Sequence, residues 1–159
     1  MSMAQPTEQG ATTEPSATDG QAHELTLIFP LNPGGAERTR ERSKTRDTGP
    51  GITGATFHNL RIVFFDNDTR MFFATVFDGD WDAYIDDLAS RIPDQLDAMF
   101  GECVDYKGIH DPNIKDYIRK YQIKAEEFYC AYPNTTVKQI RKGQRVLKAW
   151  EEMLDASEE

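Results

Sequence analysis

Three histidines, two cysteines and six tyrosines are the side chains of this chain that could ligate a metal, act as a nucleophile or move a proton. His58 stands in the aromatic-rich run FHNLRIVFF, where an imidazole can serve as a base, as a haem ligand or as a hydrogen-bonded core residue. Arg61 follows it on a mostly apolar stretch, and a guanidinium there needs an acidic partner or an anionic ligand, which marks a pocket. Tyr129 and Tyr132, in FYCAYP, are spaced to face opposite sides of a strand, and most such tyrosines are core residues with a wet hydroxyl. His110 and Asp111 could pass a proton, but no nucleophile stands beside them, and GIHDP reads as a turn. These four, His58, Arg61, Tyr129 and Tyr132, are the candidate ligand-binding residues; no catalytic set emerges.

Metal chemistry is not expected. Asp78, Asp80 and Asp82 alternate as at the opening of a calcium loop, yet Ala83 stands where that loop needs glycine and Ala89 where it needs glutamate. The same aspartates, with Asp86 and Asp87, suit the positive N-terminal end of a helix instead. Cys103 and Cys130 are far apart and belong to no CxxC or Cys/His cluster, which points to a reduced, cytoplasmic protein with Cys130 as a small buried hydrophobe.

Arg38, Arg40, Arg42, Lys44 and Arg46 form a basic run opposite an acidic stretch, residues 78–97, that holds aspartates and only one cation, Arg91. No aromatic interleaves the run, so RNA binding lacks its stacking platform. The run is expected to be solvated or to dock on an acidic helix, its own or a neighbour's, with Arg38, Arg40, Arg42 and Arg46 as interaction residues.

The elements that would position these groups follow from periodicity. Residues 1–23 lack large apolar side chains after Met3 and form a tail unable to offset its own ordering entropy; the folded domain is read as 24–157. Leu25–Leu31 reads as a strand, and residues 32–54 as a basic loop insertion with a turn or two of helix after Gly35. Thr56–Phe65 and Arg70–Phe77 form a hairpin about Asp66–Thr69, which puts His58 opposite Phe77 and leaves both faces largely apolar. The second face is therefore expected to be covered, by the C-terminal helix or a partner subunit. One amphipathic helix is expected over Asp80–Phe100, kinked at Pro93, then a short helix within Asn113–Gln122. A strand over Glu126–Tyr132 and a last helix with an apolar stripe from Val137 to Leu154 complete the order. The sum is an α+β, ferredoxin-like βαββαβ antiparallel sheet with an added C-terminal helix.

Composition bounds the function. The net charge of −9 disfavours general affinity for nucleic acid or anionic membrane, and no apolar stretch is long enough for membrane insertion. Mean hydropathy is −0.64, a value set by the tail and the basic loop more than by the aromatic-rich core.

The strings TFHNLR, FDGDWDAYIDD and FYCAYP, in this order, resemble a group of bacterial proteins that looks like a branch of the ferredoxin-like, dimeric α/β-barrel class. The chain departs from that pattern at RTRERSKTR, where an amphipathic helix is expected. Some members occur beside catalase-, peroxidase- or lipoxygenase-like proteins. The resemblance implies a homodimer or a subunit of a larger assembly, and a non-catalytic ligand-binding or accessory protein to a redox enzyme. Two alternatives stand beside it: a haem- or small-molecule-dependent oxidoreductase using His58 and a tyrosine, and a pure interaction subunit tethered by its tail and charged segments.

Overall fold

A computed structural model describes residues 21–44 and 56–156 of the chain. Most of the expected tail, the rest of the basic loop and Arg46 lie outside the described residues. In chain order the elements are β1 (Ala22–Pro30), α1 (Gly35–Lys44), β2 (Phe57–Phe65), β3 (Arg70–Asp78), α2 (Trp81–Arg91), α3 (Pro93–Phe100), α4 (Ile114–Tyr121), β4 (Gln122–Ile123) and α5 (Val137–Asp155). The fold is α+β, with one antiparallel sheet of four strands in the order β2-β3-β1-β4 and five helices among the described residues.

Alternation builds the sheet. Leu25, Leu27 and Phe29 of β1 lie beside Thr75, Phe73 and Met71 of β3, and these beside Leu60, Ile62 and Phe64 of β2, on one inner face. Each of Phe29, Phe73 and Phe77 is almost wholly removed from water, a gain of about 2–3 kcal/mol per ring. The helices α2, α3 and α4 close this face with Tyr84, Ile85, Leu88, Ile92, Leu96, Met99, Phe100 and Ile118. Tyr84 stacks on Phe77 at 4.1 Å between ring centroids.

Several expectations need correction. The first strand starts at Ala22, because the far half of β3 gives Ala22, His23 and Glu24 partners in Asp78, Phe77 and Val76. The hairpin pairs Phe65 with Arg70 as expected, but a bulge between Phe57 and Asn59 puts Phe57 opposite Phe77 and leaves His58 as the extra residue. The Asp80–Phe100 segment is two helices, broken at Ile92 (φ −136°, ψ 44°), because the residue before a proline avoids the helical region and Pro93 has no N–H to continue the ladder.

The basic connection contains a regular helix. The sides of α1 that meet the domain are made of its smallest residues: Gly35, Ala36 and Thr39 are buried, and a Cβ on Gly35 would stand 2.8 Å from that of Glu102. Close approach, in place of a broad apolar stripe, packs this helix.

The expected Glu126–Tyr132 strand does not form. Only Gln122 and Ile123 pair with β1, opposite Leu27 and Thr26. The chain then leaves the ladder: the Ala125 amide donates to the Glu24 carboxylate (3.2 Å) and the Ala22 amide to the Pro133 carbonyl (2.8 Å). Side-chain and single backbone contacts replace the strand.

Candidate functional site

Among the described residues, the C-terminal helix and the outer face of the sheet are the two surfaces that packing leaves without an apolar partner. Thr136 caps α5 in a reciprocal capping box with Gln139, and the carboxylate of Asp78 accepts the Val137 amide at 2.7 Å, next to the positive end of the helix dipole. Beyond Val137 the helix leaves the domain. Val137 is its one buried residue; Val146, Leu147, Trp150 and Met153 are all more than half exposed, with Trp150 at 55%. At roughly 100° per residue, Ile140, Val146, Leu147, Trp150, Met153 and Leu154 fall in one apolar arc. Lys138, Arg141, Lys142, Arg145 and Lys148 fall on the opposite side. The C-terminal helix therefore does not cover the sheet.

The outer face carries Ile28 of β1, Phe72 and Val76 of β3 and Phe65 of β2, all half-buried, with Val63 at 50% exposure. Ile123 of β4 is exposed beside Thr26 on the same face. Arg61 lies on this face, opposite Ala74; it is exposed and makes no hydrogen bond or ion pair among the described residues.

His58 sits elsewhere. Its Nε2 meets the Asp78 Oδ1 at 2.7 Å, so the bulged histidine, the end of β3 and the start of α5 share one carboxylate. Tyr129 and Tyr132 stand on the loop before α5, 84% and 75% exposed, because the strand that would have buried them is missing. Cys130 is half-buried, not a core residue. The structure thus does not gather His58, Arg61, Tyr129 and Tyr132 into one pocket. Among the described residues no haem pocket is assembled around His58: its Nε2 is engaged by Asp78, and it lines neither the groove at Tyr117 nor the one at Phe64.

Two open grooves among the described residues are lined by none of these four residues. One, of about 460 Å³, runs past Asp105, Lys107, Asp111, Asp116 and Tyr117. The other, of about 490 Å³, lies between α1 and β2 and is lined by Arg40, Ser43, Leu60, Ile62 and Phe64. Neither holds an activated nucleophile. Burial pushes the Cys103 thiol up to about 12, so it is not a thiolate at neutral pH. Burial likewise raises the phenols of Tyr84, Tyr106 and Tyr117 above their ordinary range. Among the described residues no group of three or more His, Cys, Asp or Glu side chains could hold a metal ion.

The described part of the basic run, Arg38 to Lys44, is committed within the chain. The Arg38 Nη2 donates to the Glu102 Oε2 at 2.6 Å and the Arg42 Nη1 to its Oε1 at 2.8 Å, and the two guanidinium groups hold the Glu102 carboxyl below the usual range. Arg40 makes a bidentate pair with Asp68, 2.6 and 2.7 Å, and lies over the Phe64 ring. Docking within the chain is what the arginines do, but on Glu102 beyond α3 and on the hairpin turn.

Sequence reasoning missed Asp78 as a hub, Glu102 as the shared anchor, and the charge of α5. The first two come from distant segments with no local signal. The third was readable, since Val137–Lys148 holds five cations and no acid.

Compared with protein families, with curated proteins and with solved structures, the chain gives no match.

Proposed function

We propose that this chain is a non-catalytic accessory protein that acts by docking, a ferredoxin-like domain working as a homodimer or as a subunit of a larger assembly. The observation that carries this is α5, 19 residues long with its apolar arc in water. An isolated helix of that length is marginal without tertiary packing, and an exposed amphipathic helix is a recurrent recognition element. The ferredoxin-like reading is supported by the path of the chain: β3 lies between β1 and β2, β4 lies on the other side of β1, and all neighbours are antiparallel. The resemblance of TFHNLR, FDGDWDAYIDD and FYCAYP to proteins found beside redox enzymes supports an accessory role, and two free cysteines suit the cytoplasm.

The test is native purification of the full chain followed by intact-mass measurement and sedimentation. An assembly of fixed stoichiometry, lost when Leu147 and Trp150 are both replaced by serine, is expected. A full chain that stays monomeric and partnerless sinks the proposal, and a Soret band on adding haem that disappears in His58→Ala would replace it with the oxidoreductase alternative.

A further inference from the structure

We propose that the occupant of the outer sheet face is α5 of a second copy, so that two chains exchange their C-terminal helices. This rests on the docking role argued above and names its partner.

The two surfaces match in kind and in size. A helix of 19 residues is about 28 Å long at 1.5 Å per residue, and strands of nine residues run roughly 30 Å. A helix laid along β3 would meet Val63, Phe72 and Ile28 with its apolar arc while its five cations stayed in water. As α5 is held, the same chain does not make this contact with itself: the Asp78 carboxylate and the capping box fix its first turn at the end of β3, and beyond Val137 its apolar residues stay exposed. Leu147 and Trp150 then remain exposed in one copy while Val63 remains exposed on its sheet. A two-fold arrangement satisfies both surfaces twice, since an isologous contact gives each copy the other's helix.

Charge fixes the choice of partner. Arg61 is the cation on this apolar face that lacks a partner among the described residues. Glu151, eleven residues after Ile140, comes round to almost the same side of the helix at roughly 100° per residue, at the border of the apolar arc. It too is exposed and makes no ion pair among the described residues. In the exchanged dimer Glu151 of one copy answers Arg61 of the other at the rim, where a charge pair sets register and specificity. An anionic membrane would use the basic side of α5 but would leave the sheet face and Arg61 unexplained, and it would have to overcome the net charge of −9.

The experiment is sedimentation equilibrium on the full chain and on Arg61→Glu, Glu151→Arg, the double charge swap, Val63→Asp and Trp150→Ala, with circular dichroism confirming that each folds. A dimer is expected. Each single charge reversal should raise its dissociation constant roughly tenfold, and the double swap should recover most of that loss. Trp150→Ala and Val63→Asp should each weaken it by roughly thirtyfold or more. A dimer indifferent to Val63→Asp but broken by Trp150→Ala would mean that α5 pairs with another α5, and would overturn the exchange while sparing the docking role. A dimer that survives deletion of residues 137–159 would place two sheets face to face, and would overturn the exchange together with the docking role of α5. A monomer that binds vesicles of anionic phospholipid would overturn the exchange in favour of a membrane surface, and a monomer that binds nothing would sink the docking role as well.

Discussion

The Asp78 carboxylate accepts the backbone amide of Val137 at 2.7 Å, across 59 positions of the chain. Its other oxygen lies 2.7 Å from His58, so one side chain ties the bulge of β2 to the first turn of α5. Replacing Asp78 with alanine leaves the Val137 N–H and the imidazole without their partner. The expected cost is about 1–3 kcal/mol, with faster hydrogen exchange at the Val137–Ile140 amides. His58→Ala keeps the Val137 bond and should cost less. Equal exchange in both variants would show that Asp78 does not anchor the helix.

The cap of the same helix gives an independent measure. Thr136→Ala removes the hydroxyl that accepts the Gln139 amide at 3.2 Å, and about 1 kcal/mol of helix stability should go with it. Far-ultraviolet circular dichroism during urea unfolding would register the change.

Acid should act through Glu102. Hydrogen bonds from Arg38 and then Arg42 depress its carboxyl in the folded state, so its contribution is complete above the unfolded carboxylate range and is lost as pH falls through the lower, folded value. Wild type should lose stability as pH drops below about 4.5, and Glu102→Gln, weaker at neutral pH, should lose less over that interval. Melting temperatures between neutrality and pH 3 decide this; parallel curves for the two proteins would remove Glu102 as the cause.

Alkali works in the opposite sense. Burial raises the phenols of Tyr84 and Tyr117, and burial together with the Asp97 carboxylate raises that of Tyr106. The unfolded chain ionises near pH 10, so the stability they lend is present below that pH and is lost as pH rises toward their folded values. Spectrophotometric titration should show three phenolates appearing only together with unfolding. Their smooth ionisation in a folded protein would contradict this.

The hairpin turn offers a stabilising change. Asp66, Asn67 and Asp68 all take positive φ, 52°, 52° and 64°, a region that costs an L-residue energy and glycine almost none. The Arg40 pair with Asp68 helps hold them there. Asn67→Gly should stabilise by about 0.5 kcal/mol, less than the strain it relieves because glycine also gains freedom when unfolded. A lower melting temperature would show that the turn is not strained at Asn67.

What the sequence by itself determined are the features set by local pattern. A short apolar run marked β1 from Leu25 on, though not its start at Ala22; the hairpin pattern gave β2, β3 and their inner-face residues, with the Asp66–Thr69 turn setting the Phe65–Arg70 register; and spacing of three and four gave the apolar sides of α2, α3 and α5. What only the tertiary structure decided involves partners that are remote in sequence. Whether RTRERSK is a helix depended on Glu102 and on the close approach that Gly35 and Ala36 permit. Whether FYCAY is a strand depended on the edge of β1, which the chain leaves after Ile123. A bulge of one residue moved His58 from Phe77 to Asp78, and no local periodicity encodes a bulge. The apolar stripe of α5 was legible in the sequence, but which surface it meets depends on where Asp78 and Thr136 aim the helix. That direction is a property of the folded sheet.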